Sequence, residues 1–244
     1  MKILALDSSG LVASVALVED DTLVAEYTMN YKKTHSQTLL PMLDEIKKAV
    51  ELDLETLDAI AVAAGPGSFT GLRIGSATAK GLGLALNKPL IGVPTLEALA
   101  YNLYDTAPGT LVCPIMDARR SQVYTGIYRF EDGIHLTVLE DQMAVGIEEL
   151  GERLKKYGEQ VTFLGDGVPV FREVLEERLM KGCRISFAPA NMNRQRAASV
   201  GALALLYYQQ GKTETAAEHK PDYLRMSQAE RERKERMERD SVSM

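Results

Sequence analysis

The residues best placed to do chemistry cluster at a glycine-rich turn, Gly65-Pro66-Gly67-Ser68-Phe69-Thr70-Gly71. The turn follows an apolar run and opens a second run with helical spacing. The first N–H groups of a helix point outward without partners, so such a turn can hold an anion. It can equally be a tight structural turn. No Gly-Lys-Ser/Thr follows, as a Walker loop requires, and no acid ends the next apolar run near Val93, as a dinucleotide fold requires. Asp7 and Asp117 each close an apolar run ahead of a turn, where they could cap the N–H groups of Ser8-Ser9 and Arg119-Arg120. His35, His135 and His219 are scattered, and Cys113 and Cys183 fit no zinc spacing. There is no His-Glu-x-x-His and no nucleophile elbow, so peptidase activity is not expected.

Composition narrows the setting. The 244 residues suit one large or two compact domains, and 45% are apolar, enough for a sizeable core. No apolar run is long enough to suggest a membrane span, and Asp7 interrupts the N-terminal run too early for a signal peptide. A cytoplasmic protein with no membrane partner is expected. The net charge of −6 argues against strong binding of nucleic acid by this chain alone.

These residues depend on the elements around them. Residues 2–7, 11–18 and 22–29 read as three strands with short turns, an antiparallel start unlike the βαβ opening of a dinucleotide fold. Leu39, Leu43, Ile46 and Val50 predict a helix from about Ser36. A buried strand at 57–64, a helix at 69–86, a strand at 90–93 and a helix to about Tyr104 follow. The plan then recurs: strands at 111–116, 121–130 and 134–143, a helix at 148–157, a strand at 161–164, a helix at 168–180, a strand at 184–187 and a helix at 195–209. Asp7 and Asp117 occupy matching places. The expected divisions are a first lobe at 1–104, a smaller second lobe at 105–226 whose last helix could pack back on the first, and a charged tail at 227–244. In that tail, five basic and five acidic residues cancel.

Two helices carry more small or apolar surface than one sheet needs. On the 69–86 helix, Gly71, Gly75, Ala79 and Gly83 form one ridge, and Ala77, Gly81 and Ala85 form its neighbour. Each interior glycine costs about 0.5–1 kcal/mol relative to alanine. Close approach of another backbone would offset this, either within the lobe or from another subunit. On the 36–50 helix, Leu40, Met42 and Ala49 widen the apolar arc past the ~100° that one sheet requires. The expected partner interface is therefore Leu40, Met42, Gly71, Gly75, Ala79 and Gly83.

Two tandem βββαβαβ lobes are the layout of the duplicated actin-like α/β fold, ribonuclease-H-like in each lobe (the ASKHA superfamily). In actin-like kinases, acids at the first-strand ends hold a magnesium nucleotide. By that analogy Asp7, Ser8, Gly65, Gly67 and Asp117 could face a nucleotide or anion cleft. Six segments resemble the bacterial TsaB (YeaZ) family: residues 3–9, His35-Ser36-Gln37, Gly65–Gly75, Pro89–Val93, Asp117-Ala118-Arg119-Arg120 and Pro221-Asp222-Tyr223-Leu224-Arg225.

The resemblance covers about residues 1–226. It implies an accessory role in forming N6-threonylcarbamoyladenosine at position 37 of tRNAs that read codons beginning with A. It implies partnership with the catalytic paralogue TsaD and the ATPase TsaE, and a homodimer through the same two helices. tRNA would be reached only through the complex. The paralogue carries a metal-binding His-x-x-x-His, and the matching positions here are Thr95 and Leu99. Two imidazoles at i and i+4 share a helix face, and neither residue here can replace one. No catalytic residue, metal or cofactor of its own is expected, although ATP or ADP could sit at the cleft of the complex. The alternatives are an actin-like ATP-binding phosphotransferase or carbamoyl-type transferase acting on its own, and a self-associating scaffold.

Overall fold

Each half of the chain builds the same five-stranded sheet in the same order. In the computed structural model, which describes all residues except 32–33, 105, 132–134 and 226–244, the first half contributes β1 (Lys2–Asp7), β2 (Ala13–Glu19), β3 (Thr22–Met29), α1 (His35–Ala49), β4 (Ala59–Gly65), α2 (Phe69–Leu86), β5 (Leu90–Pro94) and α3 (Thr95–Ala100). The second half contributes β6 (Thr110–Asp117), β7 (Gln122–Glu131), β8 (His135–Gly146), α4 (Ile147–Lys155), β9 (Gln160–Leu164), α5 (Val168–Val174), β10 (Ile185–Phe187) and α6 (Ala197–Gln209). The sheets run β3-β2-β1-β4-β5 and β8-β7-β6-β9-β10. In both, the first three strands are antiparallel and the last two join in parallel. This is the duplicated actin-like fold. The charged tail lies outside the described residues. No helix among the described residues is long and apolar enough to cross a membrane.

Strand composition follows position. β1 and β4 are central and covered on both faces, so each reads as an almost continuous apolar run. β3 is an edge strand, and five of its eight residues are exposed, Leu23, Val24 and Tyr27 among them. α1 and α2 lie side by side on one face of the first sheet, where Leu39, Leu43 and Ile46 share a core with Leu4, Leu6 and Val62. α2 is sharply bounded. The Ser68 hydroxyl accepts a bond from the Gly71 N–H at 3.2 Å, and Asn87 ends the helix in the left-handed conformation at φ 52°.

The lobes exchange their final helices. α6 covers the other face of the first sheet, where Val200, Leu203 and Ala204 meet Ile3, Ala5 and Val93. α3 lies against the second sheet, where Leu96 and Leu99 meet Val112, Met116 and Tyr128. Part of the space between the lobes is thus occupied by helices anchored in both.

A last segment binds the first lobe without forming a long element. Glu214 exchanges two backbone hydrogen bonds with Leu90, at 2.8 and 2.9 Å. The Asp222 N–H donates to the Ala64 carbonyl at 2.7 Å. Gly65 has φ +125°, and a Cβ there would lie 2.2 Å from the Asp222 carbonyl oxygen. The segment can cross the turn only because residue 65 has no side chain.

Candidate functional site

Two surfaces could carry function: a cleft between the lobes and the outer face of α1 and α2. The cleft encloses about 580 Å³. Ser9, His35 and Gly67 line it from the first lobe, and Asp117, Tyr124 and Asp166 line it from the second. Asp166 lies in Gly165-Asp166-Gly167, which takes the place in the second lobe that Gly65-Pro66-Gly67 takes in the first. That internal repeat was the sequence signal for Asp166.

The residues expected to face a nucleotide do not form one set. Asp7 is buried, and its carboxylate accepts both the Ser9 N–H at 2.8 Å and the Ser9 hydroxyl at 2.7 Å. The Ser8 hydroxyl is buried and donates to the Gly71 carbonyl at 2.9 Å. Gly65 lies under Asp222. Only Gly67 and Asp117 reach the cleft. The Asp117 carboxylate accepts the Arg119 N–H at 2.8 Å and a guanidinium N–H of the same residue at 3.1 Å. The Asp117 N–H in turn donates to Asp166 at 3.1 Å. These acids organise turns, as capping carboxylates do. Asp117 and Asp166 line the cleft, whereas Asp7 is turned into the Ser9 turn.

Burial pushes the Asp7 carboxyl up to about 6 from 3.8, against the two hydrogen bonds from Ser9 and the nearby His35, which pull it down. Between those values the folded chain holds a proton that the unfolded chain has released. Asp7 therefore favours folding at low pH, and this contribution falls as pH rises from about 4 to about 6. In an Asp7→Asn variant, that share of the pH dependence should vanish. The variant's stability relative to wild type should rise by roughly 2–3 kcal/mol between pH 4 and pH 7. Urea midpoints at the two pH values measure it, and parallel curves for the two proteins would refute it.

The positions that match the paralogue's histidines serve the fold. Thr95 is fully buried, and its hydroxyl accepts the Gly65 N–H at 3.1 Å. Leu99 is buried against the second sheet. Among the described residues, no group of three or more His, Cys, Asp or Glu could hold a metal ion.

The outer helical face differs from the expected ridge. Gly71, Gly75, Ala79 and Gly83 are buried within the chain itself. A Cβ at Gly75 would lie 2.6 Å from the Ser8 hydroxyl, and one at Gly83 would lie 2.5 Å from a Leu90 methyl. The close approach that offsets these glycines is therefore to the lobe's own sheet. Met42 is likewise a core residue. The neighbouring ridge is the one that faces out: Ala77, Gly81 and Ala85 are exposed, and a Cβ at Gly81 would meet nothing within 4 Å. Leu84 is 71% exposed on this face, and Leu40 of α1 is 52% exposed.

At the N-terminal end of α2, Arg73 lies 4.0 Å above the Phe69 ring and donates to the Tyr223 hydroxyl at 3.3 Å. Tyr223 packs on Phe69 with ring centroids 4.6 Å apart. From there the C-terminal segment crosses to the second lobe. Gln142 donates to Asp222 at 3.1 Å, and the Arg225 guanidinium donates to the Ala118 carbonyl at 2.8 Å. Residues 212–225 lack any hydrophobic period, so pattern reading had no means of placing them.

Comparison with known proteins gives the family. The family model for TsaD, tRNA N6-adenosine threonylcarbamoyltransferase, matches residues 22–233. The tRNA threonylcarbamoyladenosine biosynthesis protein TsaB of Bacillus subtilis is 36% identical over 94% of this chain and 96% of its own length. The Escherichia coli protein of the same name is 31% identical over 92% of this chain and 95% of its own length. The solved structure of YeaZ from Pseudomonas aeruginosa superposes with a TM-score of 0.78, at 27% identity, over 91% of this chain and 99% of that one. Both of these relatives align along nearly their whole length and carry the TsaB name. This chain belongs to the TsaB (YeaZ) family of tRNA threonylcarbamoyladenosine biosynthesis proteins.

Proposed function

We propose that this chain is the non-catalytic subunit of a complex that forms N6-threonylcarbamoyladenosine at position 37 of tRNAs reading codons that begin with A. It acts by binding a TsaD-type catalytic paralogue and stabilising or activating it. The observation that carries this reading is the outer face of α2, where Leu84 stands 71% exposed beside Ala77 and Gly81. A large apolar side chain flanked by small residues lets a partner helix approach closely and bury an anchor. Leu40, on the adjoining α1, is also exposed. The non-catalytic part of the reading rests on Thr95 and Leu99, whose contacts are structural.

In this reading a TsaE-type ATPase joins the pair, and ATP or ADP is held by the partners, because Asp7, Ser8 and Gly65 do not reach this chain's cleft. A homodimer would use the same helical face and compete with the heterodimer. The test is association with the paralogue, followed by transfer assays with each component omitted. Leu84→Asp and Gly81→Arg should each weaken association by about 100-fold, roughly 2.7 kcal/mol, while the circular dichroism spectrum stays unchanged. Binding that survives both substitutions would place the interface elsewhere. Threonylcarbamoyl transfer by this chain alone would favour a transferase that acts independently.

A further inference from the structure

Three arginines meet at one turn of a chain whose net charge is −6. The turn joins β6 to β7 at the mouth of the cleft. Its residues Arg119, Arg120 and Ser121 all have left-handed backbone, with φ of 66°, 55° and 56°. Residues other than glycine, asparagine and aspartate rarely adopt that conformation, and three in succession need external support. The support is on all sides. Asp117 accepts the Arg119 N–H at 2.8 Å, the Gln122 N–H donates to the Arg119 carbonyl at 3.1 Å, and the Ile147 N–H donates to the Ser121 carbonyl at 3.1 Å. From the C-terminal segment, Arg225 donates to the Ala118 carbonyl at 2.8 Å and lies 5.8 Å from the Tyr124 ring centroid.

This framework holds two guanidinium groups outward. The Arg119 side chain is 87% exposed and lends one arm to Asp117. Arg120 is exposed beside it and pairs with no acid among the described residues. Arg225 stands behind them with most of its donors unspent within the described residues. The tip carries two cations side by side. Arg119 stands at the rim of the interlobe cleft, beside Tyr124 and Val170, while Arg120 is exposed to solvent. Guanidinium forks on a turn held by hydrogen bonds suit a chain of phosphate oxygens, which they can bind with two parallel hydrogen bonds.

We propose that Arg119 and Arg120, backed by Arg225, bind the phosphodiester backbone of tRNA once the complex has assembled. The proposal rests on the functional reading above. The chain alone binds tRNA weakly, because two or three phosphate contacts cannot offset an acidic surface. Within the complex, the same contacts add to those of the partners and help orient the anticodon arm.

The test uses the assembled complex of this chain with its catalytic-type and ATPase-type partners. Arg119→Asn/Arg120→Asn removes both charges with a residue that tolerates left-handed backbone. Affinity for tRNA should fall about 10-fold near 0.15 M salt, and the slope of log affinity against log salt should shrink by roughly 1–2. Arg119→Lys/Arg120→Lys should keep most of the slope. Unchanged tRNA affinity and slope in an intact complex would overturn the proposal alone. Loss of assembly before any tRNA is added would also overturn it, because the tip would then be a protein contact. Failure of the wild-type chain to assemble with these partners would overturn the functional reading, and this proposal with it.

Discussion

Gly71→Ala should destabilise the protein by about 3 kcal/mol or more, while Gly81→Ala, the same chemical change ten residues along the same helix, should stabilise it by about 0.5–1 kcal/mol. A methyl group at position 71 would lie 2.0 Å from the Ser8 carbonyl oxygen. Neither side can give way. Ser8 stands at the end of β1, where Ser9 is bonded to Asp7 and accepts the Ser68 N–H at 2.7 Å. The Ser8 hydroxyl also ties itself to the Gly71 carbonyl. A methyl group at position 81 meets nothing within 4 Å, so only the helix preference of alanine is felt. Urea midpoints of the two variants measure the pair. Equal or same-sign effects would mean that α2 does not sit on the Ser8 turn at this distance.

Thr95→His/Leu99→His, which rebuilds the paralogue's spacing, should cost at least about 4 kcal/mol and create no zinc site. That loss is a large share of the ~5–15 kcal/mol that holds a typical domain together. Thr95 holds the buried Gly65 N–H at 3.1 Å, and a histidine there strands that group. Leu99 is 1% exposed between α3 and the second sheet, so an imidazole there loses its water without gaining a partner. Thermal melts with and without zinc are the measurement. A zinc-dependent rise in the melting temperature would show that the backbone here is still arranged for a metal. The conservative Thr95→Ser, which keeps the hydroxyl, separates the hydrogen bond from the volume change.

The order of elements and the duplication were readable from the sequence because they depend on local periods. Alternating and continuous apolar runs mark the strands, and Leu39, Leu43 and Ile46 mark α1 at helical spacing. The direction of the small-residue ridges was not readable. α2 carries two such ridges at identical spacing, and periodicity cannot say which one meets the sheet. Only the Ser8 turn, brought to Gly71 and Gly75 by the fold, decides it. The same limit applies to Asp7. Its type and place fit both a turn cap and a nucleotide ligand, and burial with two Ser9 donors selects the cap. Thr95 and Leu99 could be singled out only by resemblance, while the reason for their chemistry, a buried N–H that needs an acceptor and an interlobe core, is tertiary.

The exchange of α3 and α6 sets a timetable for synthesis. β5 ends at Pro94, yet the helix that covers the inner face of its sheet begins at Ala197. A ribosome adding ~5–20 residues per second needs about 5–20 s to make the roughly one hundred residues between them. During that interval Ile3, Ala5, Ala61 and Val93 have only Ala98 and Tyr101 against them and lack the cover of Val200, Leu203 and Ala204. The half of the protein that leaves the ribosome first is therefore the half completed last, and a nascent chain stalled within the second sheet would present that half-covered face to whatever chaperone or aggregate it meets.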